Sequence, residues 1–288
     1  MSDYSWRRDL PELDFHPLLQ FWGKTDKSHG PGHKEHDFHP LAYHLLDVAA
    51  CADAILAANP ARLRFLADLC KIEPETLRRA LVCLIALHDV GKCARGFQGK
   101  VVELWPSALG QRPEEGKFVS VRHDAAGLWL FMTEPRLKAI AERLIPGPFV
   151  KRRIKLIQSV VGHHGEPLEH DFRSVAAIAN SDAQIGRAAQ LAAADLADAI
   201  VAVFDPPGLS PPDEAVPILS FALAGLAVLS DWLGSNRYWT PIGVLSEALR
   251  AGDGPVCRSG SRPARSLRRI SKSVATYGRR RSERDERR

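Results

Sequence analysis

HDVGK, residues 88–92, is the stretch on which the reading of this chain turns. His88 and Asp89 stand side by side at the end of the apolar run LVCLIAL, residues 81–87, and Gly91 and Lys92 follow at once. Leu81, Leu84, Ile85 and His88 recur at the i, i+3, i+4, i+7 spacing of one helix face. The run therefore predicts a helix from about Glu75 whose last inward residue is His88, with Gly91 as its C-terminal cap. Taken alone, HDVGK also fits a plain helix end, with Lys92 neutralising the helix C-terminus at roughly 0.3–1 kcal/mol.

Outward from this stretch the same period returns. Leu41, His44, Val48, Cys51 and Ile55 share one helix face, which puts His44 on the inward side. Further helices are predicted over about Ser120–Met132, Pro135–Leu144, Phe149–Val161, Asp182–Phe204 and Val216–Gly234. Residues 94–119 are broken by Gly96, Gly99, Pro106, Gly110, Pro113 and Gly116 and read as a long connection, a length that in compact domains tends to serve function. Strand signals are almost absent, so the expected fold is all-α, a helical bundle with a metal site in its core. Residues 1–38 read as an irregular N-terminal segment, with Gly30, Pro31, Gly32 and His29, His33, His36 and His39 near its end or just past it. The bundle is expected over 39–250 and a disordered basic tail over 251–288.

Charge belongs to that tail. Residues 251–288 carry eleven Arg and one Lys against four acids, whereas residues 1–250 carry 27 basic and 30 acidic groups. The body, at a net −3, is not a generally cationic nucleic-acid binder. Five cysteines with no C-x-x-C pair argue against a disulfide framework and a thiolate zinc site, and fit a reducing cytoplasm. No apolar run follows a basic start, and the run 215–230 falls short of the roughly 20 residues of a membrane span. It reads as a buried helix, and no membrane partner is expected.

Histidine placement carries the chemistry. All eleven histidines lie between His16 and His170, and His44, His88, His123, His163 and His164 fall at inward or helix-terminal positions. Neutral imidazoles bind transition metals, and carboxylates beside them can complete or bridge a site. Each histidine alone fits an ordinary hydrogen-bonded core residue; together they make a constellation. Asp231 is the only charge between Ala215 and Asn236, in a helix apolar on every face, and a buried carboxylate is costly unless paired or bound to metal. Capping of Ser235 or pairing with Arg237 would also satisfy it. With a metal as partner, His44, His88, Asp89 and Asp231 offer two nitrogens and two oxygens to one ion. His123, His163 and His164 then serve a second ion, with Asp89 as a bridge.

At this point the chain resembles the HD phosphohydrolases, and within them the HD nuclease of the CRISPR-associated type I nuclease-helicases. The carrying stretches are FWGKT at 21–25, HPLAYHLLDVAA at 39–50, LHDVGKCARGFQGK at 87–100, RHD at 122–124, VVGHHGEP at 160–167 and LAVLSDWLGSN at 226–236. The resemblance implies that His44, His88, Asp89 and Asp231 hold a first metal, and that His123, His163 and His164 hold a second with help from Asp89. It also implies catalytic roles for Asp89 and for Lys92, which would face the scissile phosphate. The implied cofactor is two divalent transition-metal ions, Mn, Fe, Co or Ni, with Zn also compatible with the donors. The implied reaction is metal-dependent cleavage of single-stranded DNA in type I CRISPR interference.

The family pattern is broken in one respect. No G-x-x-x-x-G-K-[ST] occurs in these residues, so ATP-driven unwinding is not available within them. The implied partners are single-stranded DNA, a separate helicase chain and the type I CRISPR effector complex. Two other classes fit the same core ligands: an HD phosphohydrolase acting on nucleotides, and a non-catalytic HD module that docks on a helicase or effector complex. KRRIK at 151–155 could contact a nucleic-acid backbone, or be the solvated face of its helix.

Overall fold

The computed structural model describes residues 17–25, 38–112, 120–148, 150–164 and 184–235. The tail and the histidines His29, His33 and His36 lie outside them. The described elements are β1 (Trp22–Thr25), β2 (Phe38–Pro40), α1 (Leu41–Ala58), α2 (Pro60–Cys70), α3 (Pro74–Ala86), α4 (Arg95–Gln98), α5 (His123–Thr133), α6 (Pro135–Leu144), α7 (Val150–Val161), α8 (Arg187–Phe204) and α9 (Val216–Gly234), with short 3-10 turns between some of them. Among the described residues the fold is all-α apart from one small hairpin.

Local chemistry explains several helix starts. α3 and α6 each begin with Pro at the first turn, where no N–H is needed, behind a Glu that caps them: Glu73 accepts from the Thr76 N–H and Glu134 from the Leu137 N–H. α2 was not expected, although Leu63, Leu66, Ala67 and Cys70 on its buried side follow the i, i+3, i+4, i+7 pattern. α1 packs against α3 and α9, α9 against α7, and the turn at 90–93 against α5 and α8. The buried residues of all these helices form one continuous core.

Several expectations are corrected. α3 ends at Ala86, and His88 and Asp89 lie in the turn that follows, before a 3-10 turn at Val90–Cys93. Gly91 is not a left-handed cap, since it is not among the residues with positive φ. It is needed for close approach, because a Cβ there would lie 1.9 Å from the His123 carbonyl oxygen. α9 is not buried all round: Leu219, Leu223, Ala227 and Asp231 face inward, while Phe221 is 84% and Trp232 74% exposed. An all-apolar helix offers no polar contrast from which its outer face can be read. By length and composition α1, and α9 with the turn before it, are apolar enough to cross a membrane, yet they pack on one another and bring His44 and Asp231 to one place.

Residues 22–25, expected to be irregular, form a strand. β1 pairs antiparallel with β2, Trp22 opposite Pro40 and Lys24 opposite His39, with an irregularity between Trp22 and Lys24. A side chain acts as the second strand partner. The buried Gln98 amide accepts from the Trp22 N–H at 3.2 Å and donates to the Trp22 carbonyl at 3.0 Å and the Lys92 carbonyl at 2.7 Å. The indole N–H of Trp22 donates back to the Gln98 carbonyl. Gly23 then packs on α1, where a Cβ would meet His44 Cβ and Leu41 Cα at 3.1 Å.

Candidate metal centre

All seven side chains singled out as metal ligands converge at the junction of α1, the turn after α3, the start of α5, the end of α7 and the end of α9. They form two groups. His44, His88, Asp89 and Asp231 are all buried and present one donor atom each within 4.8 Å of one another. His123, His163 and His164 form the second group, from half-buried through buried to exposed.

Asp89 stands between them, with one oxygen toward each. Its Oδ2 lies 3.0 Å from His44 Nε2 and 3.1 Å from His88 Nε2. Its Oδ1 lies 3.1 Å from His123 Nε2 and 3.5 Å from His163 Nε2. Asp231 Oδ1 closes the first group at 3.4 Å from His44 Nε2 and 3.8 Å from His88 Nε2. In the second, His164 Nε2 and His123 Nε2 approach to 2.8 Å. The Phe97 ring stands edge-on to the His123 ring with centroids 5.2 Å apart.

This arrangement fits a metal. His88 Nδ1 donates to the Ile85 carbonyl at 2.9 Å, which fixes the tautomer and leaves Nε2 with a lone pair facing two carboxylates. Lone pairs aimed at carboxylate oxygens repel unless a proton or a cation lies between them. His88 Nε2, Asp89 Oδ1 and both ring nitrogens of His163 are buried without a hydrogen-bond partner. Such orphaned polar atoms are costly in an apolar core.

The charges agree. Burial acts to lower the His88 pKa, but the Asp89 and Asp231 carboxylates outweigh it and push the imidazole up to about 9. A proton then occupies the place a cation would take. Burial pushes His44 down to about 3 and His163 down to about 4, so both stay neutral and able to ligate. Asp89 and Asp231 are held well below the carboxylate range although burial opposes it, Asp89 chiefly by Lys92 and Asp231 chiefly by His88.

Lys92 is nearly buried. Its ammonium lies 2.5 Å from Asp89 Oδ2 and donates to the Gly23 carbonyl at 3.1 Å. Asp231 meets two of its readings at once, since the Ser235 hydroxyl donates to its Oδ1 at 2.7 Å while the same oxygen faces the histidines; Arg237 lies outside the described residues. In KRRIK, Arg152 pairs with Asp213, and Arg153 reaches Glu142 and the carbonyls of Ile145 and Gly147. These two arginines are thus engaged within the fold. Sequence reasoning missed Gln98, which ties the site's turn to β1, and gave no role to Lys24, whose ammonium lies 3.6 Å from Asp231 Oδ1. FWGKT was among the matching stretches and was the available signal for Lys24.

Residues 22–240 match the family described as Cas3, HD domain. The CRISPR-associated endonuclease/helicase Cas3 of Escherichia coli is 30% identical over 254 residues, which cover 78% of this chain and 26% of that protein. The chain thus spans about a quarter of the length of that relative. The Thermus thermophilus cas3 HD domain, solved in the presence of Ni2+, superposes with a TM-score of 0.52 at 24% identity, covering 78% of this chain and 86% of that one. A structure described as a CRISPR RNA-guided surveillance complex, pre-nicking, contains a chain that superposes with a TM-score of 0.57 at 23% identity, over 89% of this chain and 28% of that one. With the match running through both ligand groups, this chain belongs to the Cas3 HD domain family.

Proposed function

We propose that the protein is a metal-dependent HD nuclease that cleaves phosphodiester bonds in single-stranded DNA during type I CRISPR interference. The observation that carries this reading is Asp89, whose two oxygens address two separate histidine-rich groups. His44, His88, Asp89 and Asp231 would hold one divalent ion, and His123, His163 and His164, with Asp89 Oδ1, a second. Bound there, two such ions supply a nucleophile from water at neutral pH and compensate the charge that grows on the leaving oxygen.

The protein's own groups do the rest. Neutral His44 and His163 present lone pairs without a proton to displace. Ile85 holds the His88 ring in the ligating tautomer. Lys92 keeps Asp89 ionised and in place from its buried position beside Oδ2. Family membership and the name of the Escherichia coli relative support a nuclease working with a helicase and a CRISPR effector complex. The helicase activity would come from outside these 288 residues.

The test is metal analysis of the purified protein together with incubation on circular single-stranded DNA, duplex DNA and a panel of nucleotides. Two bound ions and cutting of the circular single strand are expected. Hydrolysis of nucleotides alone would replace this reading with a nucleotide phosphohydrolase, and no turnover of any substrate by metal-loaded protein would leave a docking module.

A further inference from the structure

We infer that Lys24 is the substrate-facing cation of this centre, taking a non-bridging oxygen of the phosphodiester beside Asp231 of the first ligand group. The inference rests on the proposed phosphodiester substrate and deepens it.

An anionic substrate entering between Asp89 and Asp231 meets two carboxylates, and the first 250 residues carry a net −3, so attraction has to be local. Two ammoniums border the first group, and their settings differ. The Lys92 side chain is 5% exposed, and its ammonium is committed to Asp89 at 2.5 Å and to the Gly23 carbonyl. The Lys24 side chain is 40% exposed and lies 3.6 Å from Asp231 Oδ1. That is longer than the roughly 2.7–2.9 Å of a charge-assisted hydrogen bond, so Asp231 holds Lys24 less tightly than Asp89 holds Lys92. An ammonium that served only to neutralise Asp231 would gain from a short, buried contact.

The backbone beneath Lys24 is anchored as a binding device requires. Trp22 is clamped by the Gln98 amide, the Leu41 N–H donates to the Phe21 carbonyl at 2.7 Å, and Gly23 is pressed onto His44 and Leu41. The irregularity in pairing falls between Trp22 and Lys24, and such bulges re-aim the side chain that follows. The Gly23 carbonyl holds Lys92 inward while the next residue presents Lys24 outward, so one strand assigns the two lysines their separate tasks.

The experiment compares the full-length protein with Lys24→Met, which keeps the stem and removes the charge, and with Lys24→Arg, which keeps the charge. Binding of a fluorescent single-stranded oligodeoxynucleotide is measured over a salt series on chelated protein, so that nothing is cut. Bound metal, kcat and KM are then measured on the loaded protein. Lys24→Met should bind the strand about tenfold more weakly at low salt. The slope of log affinity against log salt should flatten by about 0.7, one single-strand phosphate contact. Metal content should stay at the wild-type level, KM should rise more than kcat falls, and Lys24→Arg should recover most of the affinity. A normal salt slope in Lys24→Met with reduced metal content would overturn the inference in favour of a support role for Asp231, and normal values of both would overturn it outright. A wild-type protein that neither binds nor cuts the single strand would overturn this inference and the nuclease reading together.

Discussion

Gly91 and Gly127 face one another across the contact between the HDVGK turn and α5, and alanine at each should have opposite effects. At Gly91 an added Cβ would lie 1.9 Å from the His123 carbonyl oxygen and 2.4 Å from the Gly127 nitrogen. Real Cβ contacts stop at about 3.0 Å, so turn and helix must separate by about 1.1 Å, and both obstacles are backbone that no rotamer change can clear. Overpacking of this kind costs about 1–3 kcal/mol, and a backbone clash belongs at the upper end. At roughly 2–4 °C per kcal/mol, Gly91→Ala should lower the Tm by about 4–10 °C. The functional loss should be larger than the stability loss. Asp89 sits two residues before Gly91, and His123 opens the helix that is pushed away, so their 3.1 Å approach is lost. Metal sites tolerate displacements on the order of 0.2 Å.

The control lies on the other side of the same contact. A Cβ at Gly127 would meet Val161 Cγ1 at 3.5 Å and the Gly91 nitrogen at 3.6 Å, which is ordinary contact. Gly127→Ala should therefore raise stability by about 0.5–1 kcal/mol through helix propensity and lower chain entropy when unfolded. Thermal melts, metal content and single-strand cleavage on the wild type and both variants make the measurement. Gly91→Ala with a wild-type Tm and the full metal complement would refute the close-approach reading, and so would a loss of metal in Gly127→Ala equal to that in Gly91→Ala.

Three further outcomes are expected. His88→Ala or Asp89→Ala should abolish DNA cleavage while far-UV circular dichroism stays helical, and cleavage retained at matched metal concentration would remove these residues from the centre. Changing both His163 and His164 to Ala should lower bound metal from two ions toward one and cut cleavage by orders of magnitude, since the first group keeps its own four donors; unchanged metal content would dismiss them as ligands. In the chelated protein, His88, pushed up to about 9, stabilises the fold below its unfolded value of about 6.5, and this contribution is lost as pH rises through about 9. His44 and His163, depressed to about 3 and about 4, remove stability as pH falls below about 6.5. The chelated Tm should thus peak near neutrality, and added metal should abolish its alkaline decline; a chelated Tm that holds steady from pH 6.5 to 9 would contradict a protonated His88.

The sequence by itself determined most of the long helices and singled out the side chains of both candidate ligand groups. The ends of α6 and α9 were read to the residue, and those of α3, α5 and α7 to within a few, because 3.6-residue periodicity and proline starts are short-range signals held within one element. His44, Asp89 and Asp231 stood out because a charged or ligating group in an apolar run needs a partner, and that need is visible without knowing where the partner is. What only the tertiary structure decided is how those groups face one another. Periodicity records which side of a helix is inward and nothing about the distance between two helices, so Gly91 read as a cap when its real constraint is the His123 carbonyl pressed against it. The bond from Gln98 to Trp22 spans 76 residues and makes a strand of a segment with no strand pattern of its own. The outer face of α9 was invisible because apolar residues occupy every side. The division of Asp89 between two ligand groups, and the contrast between a buried Lys92 and an open Lys24, depend on side-chain directions set by packing across five elements distant in sequence, which no local pattern encodes.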